Sequence, residues 1–211
     1  PYCENFDAGT GTWTNNGWLN ESGGTPSAFT GPIDDITVGG FYMYYETSGT
    51  PQTPVSITSE CLDISSLSAP TLSFYNHMYG ATTGDLNVYV NGNVEWTQSG
   101  DQGNQWNLAQ VDLSAYSGQN VTIIIEATYG VSYTGDIAID EVCVGELGVI
   151  YGCTDSTATN YDATASYDDG SCMYDFYGCT DPNAMNYDPS ATIDNGSCTY
   201  SGYGCTDTSA V

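Results

Sequence analysis

Lysine and arginine are wholly absent from these 211 residues. Against that absence stand 26 aspartates and glutamates and a single histidine, for a formal charge of −26. An ordinary soluble domain is about 25% charged, with cations near half of that, so a chain this long would carry on the order of 25 basic residues. Their absence excludes nucleic acid and anionic membrane surfaces as partners, since both are recognised through basic patches. It also removes salt bridges as a means of holding the fold together, His77 aside. Carboxylates in this excess must be hydrated, protonated or neutralised by bound cations, and a divalent metal is the natural neutraliser.

Long apolar runs are missing too. None approaches 18 residues, so no membrane insertion is expected. Convincing helical periodicity is absent, and so is any CxxC pair among the eight cysteines at 3, 61, 143, 153, 172, 179, 198 and 205. With one histidine in the chain, a zinc site is disfavoured. A disulfide framework formed in an oxidising, extracellular compartment is the better reading. The chain opens at Pro1 without a methionine or signal peptide and stops inside a repeat, as a processed product or a segment of a longer protein does.

What is present suffices for a core: 40% of residues are apolar and 13% aromatic, with 18 tyrosines. Over residues 1–146, short β-type runs alternate with Gly, Asn and Ser clusters. Phe41–Glu46, Thr71–Met78, Asp85–Val90, Val94–Trp96, Val121–Ala127 and Asp136–Val142 are such runs, and Asn91-Gly92 supplies a hairpin turn. Many short strands at this spacing predict an all-β fold, an antiparallel two-sheet jelly-roll sandwich.

After a linker at 147–150 the grammar changes. Tyr151-Gly152-Cys153-Thr154-Asp155 recurs as Tyr177-Gly178-Cys179-Thr180-Asp181 and again as Tyr203-Gly204-Cys205-Thr206-Asp207. Two full repeats, 151–176 and 177–202, and a truncated third, 203–211, result. Units this small need a staple. Pairing Cys153 with Cys172, and Cys179 with Cys198, closes loops of about 20 residues, each worth roughly 3 kcal/mol in the chain-entropy model. Cys205 lacks a partner within the chain.

Each full repeat also carries an Asp-x4-Asn-x-Asp-x5-Asp pattern: Asp155, Asn160, Asp162 and Asp168, then Asp181, Asn186, Asp188 and Asp194. Calcium takes six to eight oxygen ligands in irregular geometry, which this donor set suits. The competing reading is that Asp and Asn simply form turns.

Blocks such as Gly-Cys-Thr-Asp, Asn-Tyr-Asp and Asp-Asn-Gly-Ser-Cys make the repeats resemble the Cys- and Asp-rich repeats, loosely of thrombospondin type 3 character, of secreted surface proteins from Bacteroidetes-like bacteria. The first region resembles the MAM domain through Cys3-Glu4-Asn5-Phe6-Asp7, Thr30–Thr37, Gly40–Tyr44, Phe74–Gly80, Ser99–Asn104, Trp106 and Gly135–Glu141, in the family's order. The resemblance implies an adhesive jelly roll without catalysis. It further implies a structural cation held by Asp7, Asp35 and Asp140, with Glu141 or a backbone carbonyl in addition. The placement of Cys61 departs from the family's pattern and leaves the pairing of Cys3, Cys61 and Cys143 open.

Competing signals weigh less. His77 sits in an alternating strand with no nucleophile motif, and acid pairs such as Asp34-Asp35 are expected from composition, so no enzyme is predicted. Trp13, Trp18, Trp96 and Trp106 raise a carbohydrate-binding accessory module of a secreted hydrolase as the alternative. Sequons at Asn20, Asn120 and Asn195, and the Ser/Thr-rich repeats, allow a glycoprotein. The expected function is that of an extracellular, calcium-stabilised adhesive or structural protein, associating with itself as a filament or with other surface proteins and glycans.

Overall fold

A computed structural model describes residues 2–37, 39–48, 53–168 and 170–201. Two compact units divide the chain, Pro1–Tyr151 and Gly152–Val211. Among the described residues there is no α-helix, only strands and one 3-10 turn at Ser114–Tyr116.

The described residues of the first unit hold thirteen strands: β1 (Tyr2–Glu4), β2 (Thr14–Asn16), β3 (Leu19–Glu21), β4 (Tyr42–Tyr45), β5 (Val55–Thr58), β6 (Leu62–Asp63), β7 (Pro70–Met78), β8 (Asp85–Val90), β9 (Asn93–Ser99), β10 (Trp106–Asp112), β11 (Asn120–Val121), β12 (Ile123–Ala127) and β13 (Ile137–Glu146). One sheet runs β10-β7-β13-β4-β3, with β1 also against β13; the other runs β2-β5-β12-β8-β9; β6 and β11 form a small antiparallel pair. Every pairing in the two main sheets is antiparallel.

The period-2 pattern explains the core. In β8 Leu86, Val88 and Val90 are fully buried, and in β12 Ile123, Ile125 and Ala127 meet them. From the opposite sheet come Leu72, Phe74, Ile137 and Ile139, together with Phe6 and Trp18. The β8–β9 hairpin turns at Asn91 and Gly92, with φ of +50° and +85°, the left-handed pair that a two-residue turn needs.

A disulfide joins Cys3 to Cys143, directly opposite each other in the β1–β13 ladder, and Cys61 is free and exposed. The pairing left open by the sequence is thus decided by strand register.

In the second unit the bonds Cys153–Cys172 and Cys179–Cys198 are formed as the repeat arithmetic requires. Short ladders join β14 (Tyr151–Gly152) to β15 (Tyr167–Asp168) and β16 (Tyr177–Gly178) to β17 (Ile193–Asp194). The β16–β17 ladder and the bridges Cys153–Tyr161 and Cys179–Tyr187 are parallel, a local exception to the antiparallel expectation. The truncated third repeat, Cys205 included, lies outside the described residues, as does Asp169.

Candidate functional site

The site forms where β13 changes neighbours. Ile137–Ile139 pair with β4, whereas Val142–Val144 pair with β1. Between them the register against β7 shifts from Asp140–Tyr75 to Cys143–Ser73, so β13 carries one extra residue. Glu141 absorbs that bulge at φ +50°. Alternation sends Ile137 and Ile139 inward and Asp140 to the other face, where the long loop between β3 and β4 covers it. Trp106 Nε1 pins that loop by donating to Asp34 O at 3.1 Å.

Three carboxylates gather there. Asp35 and Asp140 are 5% and 1% exposed, although neither has a basic partner. With both ionised, Asp35 Oδ1 and Asp140 Oδ2 are buried without a donor. Asp35 Oδ2 accepts the Thr37 hydroxyl at 2.7 Å, and Asp140 Oδ1 accepts the Glu141 N–H at 2.8 Å. Burial pushes the Asp140 carboxyl up to about 11, helped by the hydrogen bond and charge of Asp35 beside it.

Asp7 stands at the rim and is exposed. Its Oδ1 accepts the Phe41 N–H at 2.8 Å and its Oδ2 accepts the Asn5 amide at 3.0 Å. Phe6 before it is held at φ +61° with its ring buried in the core. Asn20 Nδ2 steadies that turn by donating to Phe6 O at 3.1 Å. Gly40 leaves the room: a Cβ there would collide with Asp35 Oδ2 and Asp7 Oδ1.

The structure therefore brings Asp7, Asp35 and Asp140 to one locus, with Asp140 buried. As they stand, no three His, Cys, Asp or Glu side chains among the described residues close around a common point as a metal cage. The donor chemistry nonetheless fits a hard cation. All the available atoms are oxygens, and two of them are buried and orphaned, which costs several kcal/mol unless a proton or cation intervenes.

The repeats arrange their acids differently. Asp155 Oδ1 accepts the Thr157 N–H and hydroxyl at 2.9 and 2.8 Å, and its Oδ2 accepts the Tyr174 hydroxyl at 2.8 Å. Asp181 repeats this with Asn183 and Tyr200, the latter at 2.6 Å. Asn160 donates to Ser171 O and accepts from Met173 N, both at 2.8 Å; Asn186 does the same with Ser197 and Thr199. Asp162, Asp168, Asp188 and Asp194 each accept a backbone N–H two residues ahead, from Thr164, Gly170, Ser190 and Gly196. Hydrogen bonds to a carboxylate favour its charged form: Asp155 is held below the usual carboxylate range chiefly by the Thr157 N–H, Asp188 chiefly by the Ser190 hydroxyl and Asp181 chiefly by the Tyr200 hydroxyl. Seen atom by atom, both asparagines are clamps and the aspartates are turn formers.

His77 is buried between Tyr79 and Trp106, with Nε2 3.1 Å from Asn104 Oδ1. Trp13 and Trp18 are buried in the core, Trp96 packs on Phe74, and Trp106 on Tyr42. None of the four forms an open platform.

A family model described as "MAM domain, meprin/A5/mu" matches residues 3–147. The chain belongs to the MAM family. Among curated relatives of this MAM chain, thyroid hormone-induced protein B of Xenopus laevis is 38% identical over 141 residues, 62% of the chain and 20% of the relative. MAM domain-containing protein 2 of Mus musculus is 37% identical over 150 residues, 66% and 21% respectively. The chain thus spans about a fifth of these relatives' length. Among solved structures, the K3 cleaved adhesin domain of Lys-gingipain from Porphyromonas gingivalis W83 superposes with a TM-score of 0.50 at 13% identity, covering 69% of this chain and 98% of that one. That likeness is one of fold alone. MAM domains are extracellular, adhesion-type modules, and the three disulfides among the described residues of this MAM chain suit that setting.

Proposed function

We propose that this chain is the adhesive, non-catalytic part of a longer extracellular protein, with a calcium ion completing its sandwich at Asp35 and Asp140. The observation that carries the reading is the pair of buried, donorless carboxylate oxygens in a chain with no Lys or Arg. Asp7 and the carbonyls around the β13 bulge supply the remaining oxygens. Bound there, the ion ties together the turn after β1, the β3–β4 loop and β13, segments distant in sequence.

In the thrombospondin type 3-like repeats the proposal is narrower. Calcium there has the second carboxylate oxygens of Asp162 and Asp168, and of Asp188 and Asp194, which take no protein donor among the described residues. The disulfides and turns already close each unit, so the ion's part is stiffening. The repeats then serve as a spacer, and copies joined through exposed Cys61 or the sheet edges at β9 and β10 extend into filaments.

Calorimetric titration of the demetallated chain tests the ion. One calcium per sandwich, lost in Asp35→Asn, is expected; no uptake by the wild type would refute it. Beads coated with the chain are expected to clump or to adhere to a target surface, with adhesion reduced by chelator. Electron microscopy showing only single particles in calcium would remove the filament part alone.

A further inference from the structure

Phe29 combines two features unusual in a bulky apolar residue. Its backbone is left-handed, φ +65°, a region that bulky L-residues avoid, and its side chain is 82% exposed. Val131 and Tyr133 on another loop are 82% and 58% exposed.

The two loops are fastened to a common base. Asp136 N–H donates to Thr30 Oγ1 at 2.7 Å, and the Thr30 hydroxyl donates to Tyr79 O at 3.0 Å. The Thr47 hydroxyl lies 3.2 Å from Tyr133 O, and the Thr82 hydroxyl donates to Ser132 O at 3.2 Å. Beneath them Asp136 is fully buried, its Oδ1 accepting the Thr47 N–H at 3.0 Å. Gly80 permits the close approach, since a Cβ there would overlap Thr134 O and press on Thr30 Oγ1 at 3.2 Å. Phe29 and Tyr133 are the neighbours of those two threonines. The apolar groups therefore project from a built platform.

Charge selects what covers them. Glu46 directly precedes Thr47, and Asp101 accepts the Gly80 N–H at 3.3 Å, so carboxylates edge the platform and no cation exists in the chain to offset them. A second copy brings the same acidic edge and is repelled. A protein surface with Lys or Arg around an apolar contact gains from both features. We propose that the loop end bearing Phe29, Val131 and Tyr133 docks a cationic, amphipathic protein partner. This deepens the adhesive reading above and rests on it.

The test uses the full chain and two helical peptides, one with a leucine face and a lysine face, the other with serine replacing every leucine. The Leu/Lys peptide is expected to bind the wild type, and Phe29→Gly and Val131→Ser to weaken it at least tenfold. Phe29→Gly is expected at the same time to raise Tm by about 2–4 °C, because relief of the left-handed strain stabilises while recognition is lost. Equal binding of both peptides, unchanged in the variants, means charge attraction alone and overturns the proposal. A lower Tm for Phe29→Gly shows a packing role and overturns it. Concentration-dependent self-association abolished by Phe29→Gly makes a second copy the occupant and likewise overturns it. Coated beads separate the two readings: if wild type and variants adhere alike, adhesion stands and this surface falls.

Discussion

At Asp140 two requirements conflict. The bulge in β13 buries the side chain, yet burial in contact with Asp35 disfavours its charge, which is why the group titrates near 11 rather than near 4. Asp140→Asn removes the ionisable group and keeps the shape. The ion-free variant is expected to be as stable as the wild type or about 1 kcal/mol more stable, while its calcium-dependent rise in Tm disappears. Thermal scans with calcium and with EDTA check both halves.

His77 gives a second residue-scale prediction. Burial holds its imidazole below the ordinary 6.5, opposed only by the hydrogen bond to Asn104. A base that is harder to protonate when folded binds fewer protons than in the unfolded chain. Stability is therefore lost as pH falls below about 6.5, by up to about 1.4 kcal/mol per unit until the folded group titrates. Asp136 and Asp140, both raised by burial, act in the opposite sense and are common to both proteins compared. The wild-type urea midpoint minus that of His77→Asn is expected to decrease from pH 7.0 to 6.0 to 5.0.

At the scale of elements, strands and repeats were legible to different depths. The alternating runs now in β7, β8, β12 and β13 were readable because a half-buried strand must alternate. The three-residue β1, β2 and β3 were not, because strands that short take their identity from the neighbour they pair with, as Tyr2–Glu4 does from Val142–Val144. The repeat disulfides followed from spacing, since each closing half-cystine lies 19 residues on. Cys3–Cys143, separated by 140 residues, depended on register. The double variant Cys153→Ser with Cys172→Ser is expected to lose about 3 kcal/mol of local stability in its unit. Limited proteolysis should then cut within 153–172 while the sandwich keeps its melting transition; an uncut repeat would show that the Asn160 clamp and the Asp155–Tyr174 bond suffice.

For the whole molecule the dominant fact is charge of one sign. Every long-range pair of ionised side chains is repulsive, so screening can only help the compact state. Raising NaCl from about 10 to 300 mM is expected to raise Tm monotonically even with EDTA present, with calcium adding a further, saturable rise. A Tm that falls with salt would mean that favourable ion pairing outweighs repulsion, which this composition does not supply. What the sequence determined by itself was local or compositional: an all-β chain, period-2 faces, a 26-residue repeat with its staples, and the lack of any basic partner. Such features depend on neighbours along the chain. The tertiary structure decided how the acids that only the family resemblance had singled out are brought together. Asp7, Asp35 and Asp140 lie together because β13 changes partner at a bulge and a long loop folds over it, whereas in the repeats Asp162, Asp168, Asp188 and Asp194 each give one carboxylate oxygen to a local turn. Convergence needs register and burial, and neither is written in the spacing of the residues.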